Sequence, residues 1–314
     1  MKNTLKQLLD FFDTEDENGV SNLEKVHKYQ KILRRVETTD KSKSVEAVEN
    51  EAADEDIPNG IITENGKIIG LGIHIFNEDV YPLKSFEINL RNCDLIGALD
   101  VSDCTDMIFL DLYHNKITSV QSKNMPAMRI FGVQDNLLES IDVSEMPACQ
   151  GIDAGRNKLT QIDVSHNPEL VELYINDNDF TRIDLSHNAK LKYFYCHNNR
   201  ITALDTRANP LLRHLNATGN PMKSIRSLAP QREERLPLEL YAGDGGCVGL
   251  KFNPVYNAQW KETGEWQQSY YAYPDEGFRF DGWYENGTKV SGEETWIDIY
   301  GTGRILQARF SAIL

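Results

Sequence analysis

The sequence predicts a mostly β protein built around a coil of stacked parallel strands, and three observations carry that prediction. An asparagine recurs every 21 residues, at Asn115, Asn136, Asn157, Asn178, Asn199 and Asn220. Two alternating apolar residues precede each one, as in Leu110 and Leu112, Phe131 and Val133, or Phe194 and Cys196. A second polar series, Asp142, Asp163, Asp184 and Asp205, keeps the same period. Self-similarity at a fixed period of this length is the signature of a solenoid, and it covers roughly residues 69 to 225.

An alternation with period two over so few residues means one short strand per unit, its apolar side chains pointing inward. The rest of the unit must turn back to begin the next strand. That leaves backbone amides and carbonyls facing the interior, where they need partners. Asparagine offers one acceptor and two donors on a short stem, so each is expected to bridge its own turn and the neighbouring coil, making a structural ladder. Three of the aspartates are followed two residues on by Ser144, Ser165 or Ser186, a turn device in which Asp and Ser bond nearby backbone. Pro126, Pro147, Pro168 and Pro210, with Ala189 in the same register, punctuate the return loop. Cys93 stands 22 residues before Asn115 and is read as a ladder substitute. Seven or eight coils are expected.

The runs Ile162-Asp163-Val164-Ser165-His166-Asn167-Pro168 and Ile183-Asp184-Leu185-Ser186-His187-Asn188 resemble the 21-residue bacterial leucine-rich repeat of internalin-like surface proteins. The resemblance implies a leucine-rich repeat solenoid with parallel strands on its concave face. It also implies secretion or display at the cell surface, whereas the first 13 residues, interrupted by Lys6, Gln7 and Asp10, do not read as a secretory signal and suggest the cytoplasm.

Around this core the chain divides into further segments. Residues 1–37 read as an N-terminal helical hairpin, with Val20, Leu23, Val26, Ile32, Leu33 and Val36 at helical spacing and a break at Asn18-Gly19. It is expected to pack on the solenoid end or on itself. Residues 38–57 are acid-rich and nearly devoid of large apolar side chains, and read as a disordered linker. The repeat domain, 58–228, opens with a hairpin turning at Asn65-Gly66, a candidate N-terminal cap. A linker at 229–236 follows, flanked by Pro230 and Pro237. Residues 237–314 are rich in aromatics and glycine and predict a compact β domain. The phrase Ala272-Tyr273-Pro274-Asp275-Glu276-Gly277-Phe278-Arg279-Phe280-Asp281-Gly282-Trp283, closing with Leu306-Gln307-Ala308-Arg309-Phe310, resembles the internalin B-type repeat, which implies a small β-grasp-like fold.

Composition limits the function classes. A net charge of −15 argues against nucleic acid or anionic lipid as partner, because either needs a positive footprint. No stretch approaches the length of apolar chain that spans a bilayer. The five cysteines are scattered without CxxC spacing or a mixed Cys/His cluster, so neither a disulfide framework, a metal nor a cofactor is expected. No nucleophile, phosphate-loop or dinucleotide motif appears, and His166 and His187 read as a solvated row on the return loop.

Subtracting the residues that the ladder and turns use leaves the in-between positions of the strands, which are expected to face solvent on the concave side. There Tyr113, Arg156, Tyr174, Tyr193, Tyr195, His197 and His214 are the candidate ligand-binding residues. Tyrosine and histidine on a rigid sheet offer contact area with a polar tip at low entropic cost. The reading that follows is a monomeric, non-enzymatic scaffold that recognises a protein partner. The alternatives are a glycan-binding surface adhesin, or a substrate-selecting effector with unrecognised enzymatic activity, for which Cys247 is the sole cysteine outside the repeats.

Overall fold

A computed structural model describes residues 11–22, 24–25, 33–37, 43–48, 59–64, 67–70, 90–105, 107–228, 236–256, 262–298 and 304–313. The chain divides into two compact units, Met1–Glu169 and Leu170–Leu314. Both carry the predicted repeat strands, three on the concave side of each.

The first unit begins with a four-stranded antiparallel sheet of β1 (Leu33–Glu37), β2 (Lys43–Val48), β3 (Asn59–Glu64) and β4 (Lys67–Gly70). Strands β3 and β4 pair around the Asn65-Gly66 position, with Glu64 opposite Lys67. Strands β1 and β2 occupy stretches that the sequence assigned to the end of a helix and to the acidic linker. Their register sets Val36 opposite Val45 and Val45 opposite Ile62, so β-branched residues line up across three strands. That pairing is non-local, and a composition count within one segment cannot see it. The remainder of the predicted linker, and residues 1–10, 23 and 26–32 of the predicted helical hairpin, lie outside the described residues.

Residues 11–25 meet the first described coil. Phe11 and Phe12 are buried, and the fully buried Asn22 carries the junction. Its Nδ2 donates to the carbonyls of Phe11 and Ile96, both at 2.9 Å, and its Oδ1 accepts from the Ile96 amide at 3.0 Å. Ile96 opens β5 (Ile96–Asp100), so Asn22 satisfies backbone groups that a further coil would otherwise have taken.

Strands β6 (Phe109–Asp111), β8 (Ile130–Gly132) and β9 (Gly151–Asp153) run parallel in a strict 21-residue register. Between β6 and β8 the chain makes β7 (Lys116–Gln121), which pairs in parallel with β5. The irregular step after Cys93 appears there as a register shift at Gly97 and Ala98, with Gly97 at φ +89°. Cys93 itself is fully buried and its thiol donates to the Arg91 carbonyl at 3.1 Å, the bond to the residue two back that Asn136 Nδ2 makes with Gln134.

The ladder works as two reaches backward. Asn136 Nδ2 donates to the Leu112 carbonyl one coil earlier and to Val133 and Gln134 of its own turn, while Oδ1 accepts from Ile117. Asn157 repeats this on Val133, Ala154, Gly155 and Leu138. The aspartate row is confirmed as a turn device: Asp142 Oδ1 accepts from the Ser144 amide and hydroxyl, and Asp163 from the Ser165 amide. The prolines enter at the second position of hydrogen-bonded turns such as Met125 to Met128, where their fixed φ fits.

The second unit continues the pattern with β10 (Glu172–Tyr174), β11 (Tyr193–Tyr195) and β13 (His214–Asn216), parallel and in register. On the other wall β12 (Ala203–Asp205) pairs in parallel with β14 (Ser224–Leu228). Asn199 bonds Ile175, Cys196, His197 and Phe180, and Asn220 bonds Cys196, Thr218 and Ile201. A second ladder escaped the sequence reading. The buried Asn167 in the first unit donates to Val143 and Met146, and the buried Asn209 in the second donates to Leu185 and Asn188, all at 2.9 Å. Met125 and Met146 hold the same register position in earlier turns, so this site takes either a hydrophobe or an asparagine.

The C-terminal domain extends both walls of the last coil. Strand β15 (Pro237–Ala242) pairs antiparallel with β14, and β16 (Gly246–Tyr256) pairs antiparallel with β13. Beyond them lie β17 (Glu262–Pro274), β18 (Phe278–Glu285), β19 (Thr288–Ser291), β20 (Thr295–Asp298) and β21 (Ile305–Ala312), packed around the fully buried Tyr270 and Trp283. The exposed edges of the coil are thus consumed by strands of the next domain. Among the described residues there are six concave strands, fewer than the seven or eight coils expected. Residues 90–93 add hydrogen bonds to β6 without forming a strand of their own.

Replacing Asn199 with Ala leaves its buried backbone partners without a mate, which is expected to lower stability by about 3 kcal/mol. Urea unfolding followed by circular dichroism measures this, and an unchanged midpoint would contradict the ladder's role.

Candidate ligand-binding site

The residue before each ladder asparagine is forced into the left-handed region. His114 (φ 55°), Asp135 (57°), Arg156 (52°), Asp177 (54°) and Asn198 (56°) all lie there, and Gly219 (65°) closes the series. Most are types that tolerate this conformation. At Gly219 a Cβ would stand 2.3 Å from Asn198 Oδ1. Arg156 has no such excuse and is exposed.

The first unit carries two of the seven candidates, Tyr113 and Arg156. Tyr113 is half-buried beneath the Arg91 guanidinium, 4.9 Å from its ring centroid. Arg91 Nε also lies 3.8 Å from Asp111 Oδ2, the carboxylate two residues earlier, at the end of β6. Asp111 is only 3% exposed, and burial pushes its pKa up to about 6 against the pull of the Tyr113 amide and Arg91.

The second unit brings together the other five. Tyr174 on β10 and Tyr195 on β11 have ring centroids 5.1 Å apart at 48°, and His197 stands edge-on to Tyr195 at 6.4 Å. Tyr193 stacks on His214 at 4.4 Å and 15°. Asp177 lies 3.9 Å from His197 Nε2 and accepts from the Asn176 and Asn198 side-chain amides, both at 2.7 Å. The expectation that in-between positions face solvent holds only in part. The tyrosines and His197 are half-buried, but His214 is 8% exposed and Glu172 4%. Strands in register bring such side chains within about 5 Å of their neighbours, so large rings shield whatever lies between them.

Glu172 is the residue the sequence reading passed over as a site residue. The same register position holds Phe109, Ile130 and Gly151 in the first unit, so a carboxylate there breaks the pattern. Its Oε2 accepts from the Tyr174 hydroxyl at 3.3 Å, and burial raises its pKa to about 7. His214 shifts the other way, to about 4, through burial and then Arg213.

Other chemistry is less promising. Burial and Asp275 push the half-buried Cys247 thiol up, the opposite of what a reactive nucleophile requires. Burial alone raises Cys93 to about 12. His166 and His187 each pair with the serine preceding them. A recess of about 440 Å³ on the turn side is lined by Asp184, Ser186, Asp205 and Arg207, whose polar groups bond one another. No group of three metal-binding side chains occurs among the described residues.

The coil geometry is that of a solenoid whose short parallel strands recur at a 21-residue register. Solved structures similar to the chain include two leucine-rich-repeat or internalin proteins. One is a leucine-rich-repeat protein of Leptospira interrogans, 18% identical with a TM-score of 0.34, matching 43% of this chain and 47% of that one. The other is the functional domain of InlJ from Listeria monocytogenes, which includes a cysteine ladder, 13% identical with a TM-score of 0.28, matching 73% and 51%. The chain spans about half the length of each. No family model and no curated protein matches it.

The buried Glu172 yields a pH-dependent prediction. Its ordinary pKa is 4.5, so between pH 4.5 and 7 the folded protein holds the proton while the unfolded chain releases it. Stability is therefore lost as pH rises through that window, and the loss is complete above pH 7. Glu172→Gln removes it and should be more stable than the parent by about 3 kcal/mol at pH 8, with no gain at pH 4. His214 contributes the opposite slope between pH 6.5 and 4, so the parent-minus-variant difference in urea unfolding is the readout. A separate substitution, Arg156→Gly, relieves the left-handed backbone and should raise the melting midpoint by the equivalent of about 1 kcal/mol, measured calorimetrically.

Proposed function

We propose that the protein is a non-enzymatic recognition scaffold that binds a protein partner on the concave face of its second unit. The observation that carries this reading is the contiguous cluster of Tyr174, Tyr195 and His197 beside the Tyr193–His214 stack. Aromatic rings with polar tips, held by in-register strands, present contact area that loses little freedom on binding. The strands beneath them are pinned by Asn199 and Asn220, so the cluster keeps its arrangement before any ligand arrives.

Replacing Tyr174, Tyr193 and Tyr195 together with Ala is expected to cut capture of a partner from host or bacterial lysates about tenfold or more. The turn-side substitution Asp142→Asn should leave capture unchanged. If every captured protein survives the triple change, the concave cluster is the wrong site.

A further inference from the structure

The first unit sets a buried carboxylate two residues from a tyrosine with a cation against both, and the second unit has the same spacing two register positions earlier, without the cation. Asp111 ends β6 and Tyr113 follows two residues on, and Arg91 lies against both, its guanidinium over the ring and its Nε beside the carboxylate. Glu172 and Tyr174 have the same spacing on β10. The Glu172 carboxyl accepts from the Tyr174 hydroxyl, and no cationic side chain among the described residues pairs with it. Its residue is 96% buried, so the chain keeps a carboxyl where a hydrocarbon, such as Ile130 at the equivalent position, would stabilise the fold. Such a residue is a signature of binding chemistry rather than packing.

The surroundings favour a positive ligand. Tyr193 lies directly opposite Glu172 on the next strand, and Tyr174 and Tyr195 set two ring faces 5.1 Å apart beside it. Ring faces attract cations, and more strongly where water is thinned out. His214, stacked on Tyr193, has an Nε2 with no hydrogen-bond partner and is held neutral by burial, so it adds no opposing charge. At a net charge of −15, the chain as a whole also favours approach of a basic partner.

We propose that Glu172 with Tyr174, Tyr193 and Tyr195 receives a cationic side chain, an arginine guanidinium or a lysine ammonium, presented by the protein partner. This rests on the recognition reading above. The carboxylate supplies the charge, the tyrosine faces supply the walls, and rotation of the half-exposed Tyr174 ring opens the way in.

The test uses the full chain and labelled nine-residue Gly/Ser peptides carrying a central Arg, Lys, citrulline or Glu, with binding read by fluorescence anisotropy at pH 8, where the Glu172 carboxyl is ionised, and moderate salt. The Arg and Lys peptides are expected to bind, and the citrulline and Glu peptides to bind about tenfold more weakly or not at all. Glu172→Gln should weaken the Arg peptide about tenfold, and Tyr195→Ala about fivefold. The exposed-turn substitution Glu276→Gln, which changes net charge equally, should leave it unaffected. Because Glu172→Gln is expected to be at least as stable as the parent, its loss of binding cannot be laid to unfolding. The proposal is overturned if the citrulline peptide binds as well as the Arg peptide, if Glu172→Gln binds like the parent, or if no peptide binds. If lysate capture persists in Glu172→Gln but is lost in the triple tyrosine variant, the recognition reading stands and the cationic ligand falls.

Discussion

The carboxamide of the ladder asparagine is the interaction on which the rest of the structure depends. A concave strand of three residues cannot satisfy the backbone that bends away from it. Asn136, Asn157, Asn199 and Asn220 each close that gap by taking an amide from the coil before and giving to carbonyls in two coils. Because one side chain serves two coils, spacing cannot drift, and this is why the register stays at 21 residues through β8, β9 and again through β10, β11 and β13. The same bend drives the preceding residue to positive φ, so the ladder dictates a second column of residues, whose carbonyls accept from the ladder amides of the coil before at Asp135 and Arg156.

In each unit the described coils leave an edge of unpaired backbone, and the two units cover it with different devices. At the N-terminal side one buried side chain, Asn22, imitates a neighbouring strand for Ile96. At the C-terminal side whole strands do so, β16 against β13 and β15 against β14. Each removes unpaired backbone from a surface that would otherwise template aggregation.

Against this well-satisfied frame, the concave positions of the second unit stand out. Glu172 and His214 are both buried and both shifted toward the neutral form, and each has less hydrogen bonding than its burial calls for. Both stand where the tyrosines converge, on strands whose backbone the ladder asparagines pin. Stability given up at one place in a regular structure points to a role in binding.

What the sequence determined by itself is most of what the repeat governs: the strands, the inward pairs, the asparagine ladder, the Asp–Ser turns and the role of Cys93. Periodicity reveals these because each depends on contacts one coil away, at a constant offset along the chain. The concave tyrosines were legible for the same reason, as the residues left over once the structural positions were removed. Tertiary structure alone decided the rest. The pairing of β1 and β2, the use of Asn22 as an end cap and the continuation of the coil by β15 and β16 depend on partners at irregular separations, which no local pattern encodes. Burial of Glu172 and His214 depends on how neighbouring rings lie across the strand, and side-chain packing, unlike register, leaves no period to read.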